Sequence, residues 1–228
     1  MKKKLTLLAL LIISCFTLSA QVSPFLNKGE SGLGLYAAYN EGYDYVGYHG
    51  ILSYSFGAKF DVSLCLSQSF YNKWTEGLLN LEAESVYYSG QFTWWMFKEE
   101  LSSKIEVNVG SHIGFEGSKY SKYVYTGGEY DGYFGGYLGL DCNVNFFLPK
   151  KIIFQPHFII NKGFGVDQYI TSGIEDNRDY YGTSTTLGVT LGKKAKDKSV
   201  IYITLDQSSS NFDHSNAYYF GAGYVIPF

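Results

Sequence analysis

Three sets of residues carry side chains suited to chemistry. Asp213, His214 and Ser215 stand in succession within Phe212-Asp213-His214-Ser215-Asn216-Ala217 and offer an acid, a base and a hydroxyl. A base must reach its nucleophile at hydrogen-bond distance, about 2.6–3.2 Å. Adjacent strand residues point to opposite faces, so His214 and Ser215 do not pair if this stretch is extended, and otherwise it is a polar loop tip. His49, His112 and His157 form the second set. Imidazoles bind metals and move protons, but no short ligand spacing joins these three, and hydrogen-bonding histidines are the simpler reading. The third set is dispersed: Asp61, Glu106, Asn108, Asp141, Asn143 and Asp206 each alternate with apolar neighbours. No phosphate loop, Cys-x-x-Cys pair or nucleophile elbow occurs.

The alternation identifies the elements that must position these groups. Leu138, Leu140, Cys142, Val144 and Phe146 interleave with Gly139, Asp141, Asn143 and Asn145. After Leu148-Pro149-Lys150-Lys151, Ile152, Phe154, Phe158 and Ile160 share one face, and Gln155, His157 and Asn161 the other. A period of two means strands. One face is too apolar for water and the other too polar for a protein core. A sheet with lipid outside and a polar interior satisfies both if it closes on itself. A soluble β-sandwich is disfavoured, because its outer faces must be polar. The expected fold is all-β, a closed antiparallel up-and-down transmembrane β-barrel.

Residues 1–20 read as an export signal and 21–228 as the barrel domain. Lys2, Lys3 and Lys4 precede an apolar run from Leu5 to Ile13, too short to span a bilayer as a helix of about 20 residues. Cleavage is expected after Ala20, and the alternative is a lipobox-like Ile12-Ile13-Ser14-Cys15 that would leave Cys15 lipidated. The net charge of −3 becomes more acidic once the lysine-rich start is removed, which argues against nucleic-acid binding. The 22 Tyr and 26 Gly against 4 Pro suit a barrel with aromatic girdles. Cys65 and Cys142 fall on opposite faces, so no disulfide between them is expected.

Ten strands are expected, with eight or twelve as alternatives: roughly 32–39, 45–56, 59–70, 85–97, 105–115, 138–146, 152–160, 181–192, 199–207 and 216–228. Short connections follow the even-numbered strands and longer ones the odd, as in barrels with short periplasmic turns and long external loops. Pro156 lacks a ladder donor and predicts a bulge or weakened pairing. Phe220, Tyr224, Ile226 and Phe228 share a face, and the chain ends on Phe228. This pattern resembles the small Gram-negative outer-membrane β-barrel proteins of the OmpX, OmpW and PorT types. The resemblance implies an outer-membrane location, contact with outer-membrane lipid, and insertion by the barrel-assembly machinery through the strand ending at Phe228.

By parity the lumen-lining residues include Lys59, Asp61, Gln91, Thr93, Lys104, Glu106, Asn108, His112, Asp141, Asn143, Asn145, Gln155, His157, Thr186, Thr190, Thr204 and Asp206. Either they form a hydrogen-bonded plug or they line a narrow, cation-favouring pore. No cofactor or metal is implied. The expected role is non-enzymatic: structural, porin-like small-solute passage, or surface interaction, with a possible extracellular ligand at Tyr-rich loops around Lys119, Tyr120, Lys122, Tyr123 and Tyr125. The alternative is a barrel-rim hydrolase. Lipid A deacylases of the PagL type carry His-x-Ser-Asn and omptin proteases Asp-x-His; Asp213, His214 and Ser215 lack the intervening residue of either pattern.

Overall fold

The computed structural model describes residues 22–42, 45–71, 84–120, 129–171, 174–210 and 216–228. Within them lie ten strands: β1 Gly32–Glu41, β2 Tyr45–Phe56, β3 Phe60–Tyr71, β4 Glu84–Ser102, β5 Ile105–Tyr120, β6 Glu129–Leu148, β7 Ile152–Thr171, β8 Ile174–Lys194, β9 Val200–Ser210 and β10 Asn216–Pro227. Each pairs antiparallel with its sequence neighbours, and β1 pairs with β10 in unbroken register from Gly32–Pro227 to Glu41–Tyr218. The sheet therefore has no free edge.

The alternation seen in the sequence becomes an inside and an outside. Leu64, Trp94, Ile113, Leu140, Phe158, Leu187, Leu205 and Phe220 all stand outward and exposed, on strands spread around the circumference. Asp61, Glu106, Asn108, Asp141, Asn143 and Asn145 are buried within. In water so much continuous apolar surface would drive association. On a closed barrel it is the lipid-facing surface of an outer-membrane type protein, in which the ladders between neighbouring strands take up the backbone groups.

The connections at one end are minimal. Gly57 and Ala58 both take left-handed conformations (φ 60° and 54°), as tight hairpin turns joining twisted strands require. Lys150 and Lys151 do the same between β6 and β7 (φ 61° and 63°). The opposite end departs from expectation. The stretches 161–171 and 174–180, expected as a long loop, continue β7 and β8 as one hairpin in register to Thr171–Ile174. β5 and β6 likewise extend to Tyr120 and back to Glu129. In these extensions the ladder persists without the apolar alternation that marks the lower parts of the strands in sequence.

Pro156 causes weakened pairing and no bulge. The β6–β7 ladder lacks the partners Val144–Pro156 and Asn145–Gln155 but resumes at Phe146–Phe154 in the same register. On its other side Pro156 keeps its place opposite Val189. Leu140, 51% exposed in the middle of the apolar belt, tests the lipid-facing assignment. Leu140→Arg is expected to lower unfolding stability in lipid vesicles by about 2–4 kcal/mol, the cost of an arginine at the bilayer midplane. Urea titration followed by tryptophan fluorescence measures it.

Candidate functional site: the filled lumen

A ten-stranded barrel encloses slightly more space than its own side chains fill. Here the chain's first described residues enter that space. Val22 precedes a single 3-10 turn, Ser23–Phe25, with Pro24 as its second residue, and both Val22 and Ser23 are buried. Asp61 on β3 holds this segment. Its Oδ2 accepts the backbone N–H of Val22 (3.2 Å) and Ser23 (3.1 Å) and the indole N–H of Trp95 (3.0 Å), while the Ser23 hydroxyl donates to its Oδ1. Lys98 Nζ donates to the carbonyls of Ser23 (2.7 Å) and Leu26 (2.8 Å), and Asn145 Nδ2 to that of Pro24 (2.6 Å). The segment's apolar side chains meet inward groups of the wall: Phe25 stacks on Tyr202 at 4.9 Å, in a cluster with Val22, Leu26, Tyr36, Ile153, Val200 and Val225.

The lysine and amide that grip the segment belong to a wider network. Lys98 lies 3.6 Å from Glu106, whose Oε1 also accepts from Asn108 (3.1 Å) and Asn145 (2.9 Å). Gln155 Nε2 then donates to Asn145 Oδ1 (2.7 Å). A charge removed from water needs an opposite charge and hydrogen bonds to persist: Lys98 and Glu106 supply each other with the charge, and the Ser23 and Leu26 carbonyls and the Asn108 and Asn145 amides supply the hydrogen bonds.

Higher in the lumen, long side chains lie across glycines. His112 on β5 passes over Gly139 on β6 and places Nε2 2.5 Å from Asn161 Oδ1 on β7, while its Nδ1 sits 2.5 Å from Asp141 Oδ2. His157 on β7 passes over Gly188 on β8 to stand 3.0 Å from Asp206 Oδ1 on β9. Tyr36 on β1 crosses Gly221 to Thr204 (2.6 Å), and Tyr137 on β6 crosses Gly114 to Gln91 (3.1 Å). A Cβ on any of these glycines would overlap the crossing side chain. Each missing side chain is thus a slot through which a residue reaches the strand beyond its neighbour. Glu116, fully buried, accepts from the Tyr87 hydroxyl at 3.0 Å.

Of the residues singled out from sequence, Asp61, Glu106, Asn108, His112, Asp141, Asn143, His157 and Asp206 all face inward. The structure joins Glu106 with Asn108, His112 with Asp141, and His157 with Asp206. Lys59 and Lys104, expected inside, are exposed beside the short turns instead. There each extends past the wall into water, where an ammonium needs no partner. His49 is buried near Tyr219 (ring centroids 5.7 Å), apart from the other two histidines, and the described residues hold no cluster of metal-ligating side chains. Asp213, His214 and Ser215 lie outside the described residues, as do residues 1–20 with Cys15, and Lys122, Tyr123 and Tyr125. Sequence reasoning missed the Val22–Leu26 segment and the inward Tyr36, Tyr137, Tyr202, Trp95 and Lys98. The small residues opposite the tyrosines were the available signal.

No family model and no curated protein matches the sequence. Among solved structures the chain is similar to Ail, the attachment invasion locus protein of Yersinia pestis: 13% identity, 89% of this chain and 100% of that one, TM-score 0.36. It is also similar to the translocator domain of the autotransporter NalP from Neisseria meningitidis: 10% identity, 90% and 91% of the two chains, TM-score 0.48. A third is the outer-membrane protease OmpT from Escherichia coli: 8% identity, 93% and 99%, TM-score 0.42. The barrel assignment stands on the chain's own ladder and faces.

Two substitutions test how the lumen is held. Asp61→Ala leaves buried donors on Val22, Ser23 and Trp95 without an acceptor, at about 1–3 kcal/mol for each group left unpaired. The barrel is expected to lose several kcal/mol, on the order of the sum over these three groups, and its N-terminal segment to become cleavable by added protease. In Gly139→Ala the new methyl meets the Ile160 carbonyl oxygen at 2.2 Å, which cannot rotate away. A loss of about 1–3 kcal/mol is expected from overpacking, together with a shift of the His112 ring signals in NMR spectra.

Proposed function

We propose that this outer-membrane barrel is a closed, non-catalytic wall element whose work is done on its surfaces, as a structural or surface-interaction protein rather than a solute channel. The observation that carries this reading is the burial of the lumen side chains: Asp141 and Asn145 are 0% exposed and Asn143 1%. In a wet pore such residues line water. Here they face protein, because the Val22–Leu26 segment occupies the short-turn end and tyrosines cross the rest. The His112–Asp141 hydrogen bond fits a structural role within this packing, giving two buried polar groups a partner, and His157 lies against the Asp206 carboxylate. A rim-sited hydrolase would rest on Asp213, His214 and Ser215, whose succession does not pair base with nucleophile on one strand face.

Planar-bilayer recording of the purified barrel tests the reading. The native protein is expected to insert without discrete conductance steps. Tyr36→Ala/Tyr137→Ala/Tyr202→Ala, combined with removal of residues 22–26, is expected to produce steps favouring cations, since Asp141, Asp206 and Glu116 would then face water. Steps of uniform size from the native protein would refute it and restore the porin-like reading.

A further inference from the structure

The rim at the short turns carries a lysine-rich arc that the filled lumen does not use. Lys150 and Lys151 form the β6–β7 turn, and Lys193 to Lys198 lie at the end of β8 and in the turn to β9. The two turns are neighbours, because Lys193 pairs with Ile152 on one side and with Ile201 on the other. Lys194 lies 5.5 Å over the Phe147 ring and Lys198 reaches Glu30 at 3.5 Å. Lys150, Lys151, Lys193 and Lys196 are exposed, and among the described residues no carboxylate pairs with them. The acid within this stretch, Asp197, is turned onto the Ser199 hydroxyl at 2.7 Å.

Two further features give the arc a partner. Lys193 stands on the same outward row as Leu187, Val189 and Leu191, between two isoleucines, and Leu191 and Ile201 are exposed to lipid. Its ammonium therefore lies where the apolar belt ends and phosphates begin, and a lysine stem there covers apolar surface while its head reaches the interface. In addition, Lys150, Lys151 and Lys198 hold φ values of 61°, 63° and 69°. Left-handed backbone favours Gly or Asn, so lysine occupies these turns against its conformational preference.

We propose that Lys150, Lys151, Lys193 and Lys196 form a docking surface for the headgroups of anionic phospholipids in the leaflet facing the short turns. The acyl chains of such a lipid pack on Leu191 and Ile201 while its phosphate and negative headgroup meet the lysines, an attraction that salt weakens.

The test uses the full barrel in detergent, titrated with phosphatidylglycerol or phosphatidylcholine of matched chains, with retained lipid read by native mass spectrometry. It also uses K150N/K151N/K193Q/K196Q, in which asparagine suits the left-handed turn, so the fold survives; heat-dependent migration on SDS gels verifies this. The native protein is expected to retain phosphatidylglycerol in preference, less so as salt rises, and the variant to lose the preference. Equal retention of both lipids by the native protein would overturn the proposal. So would an undiminished preference in the folded variant, or displacement of the lipid by inorganic phosphate at equal concentration, which would mark a simple anion site. None of these outcomes depends on whether the barrel conducts.

Discussion

A closed sheet of ten strands must dispose of the space it encloses, and the rest of this structure follows from how that space is used. Water there would leave the inward polar residues solvated and cheap to keep. Protein there makes each of them depend on a protein partner, since an unpaired buried polar group costs about 1–3 kcal/mol, and Asn40 and His49 are buried without a hydrogen-bond partner among the described residues. This chain takes the second course. The interior consequently has the character of a polar core, with Lys98, Glu106, Asn145 and Gln155 linked into one network and two histidines each facing a carboxylate. Rigidity is the natural result, because such networks hold only when all their members are in place.

Glycine is the device that makes this packing geometrically possible. Side chains of adjacent inward positions would otherwise collide before reaching anything beyond them. By leaving Gly139, Gly188, Gly114 and Gly221 bare, the sequence lets imidazoles and phenols lie along the hydrogen-bonding direction and bridge three strands each. The short-turn end uses a different device, a segment of the chain itself. That segment is recognised largely through its backbone, by Asp61, Lys98 and Asn145, and completed by stacking of Phe25 on Tyr202. Its docking ties residues distant in sequence, since the Ser23–Asp61 and Pro24–Asn145 contacts span several strands.

The outer face was legible in the sequence because lipid imposes one uniform demand. Wherever a strand crosses the bilayer, alternate residues must be apolar, so Leu138, Leu140, Phe154 and Phe158 announced both the strands and their orientation. The inward facing of Asp61, Glu106, His112 and Asp206 followed from the same parity. Where lipid ends, the demand ends too, and the extensions of β7 and β8 toward Thr171 and Ile174 left no periodic trace. Which inward residues would meet was not legible either, because His112 and Asn161 are joined by strand stagger and an intervening glycine, neither of which appears as local spacing. Val22 to Leu26 carry no motif or periodicity of their own, and only closure of the barrel gives them a place to bind. Tyr36, Tyr137 and Tyr202 belong to a residue type that serves girdles as readily as interiors, so type alone did not assign them.

Cys65 offers the most direct measurement of whether the lumen is filled. It lies on the inward face of β3 against the cluster that packs Val22 and Phe25, whereas Cys142 lies on the outward face. With Cys142→Ser in the folded, lipid-embedded barrel, the rate at which a small charged methanethiosulfonate reagent modifies Cys65 reports the access of water. A filled lumen requires modification slower than in the urea-unfolded chain by orders of magnitude. Modification at the rate of a free thiol in water would contradict it and show an open aqueous passage through the barrel.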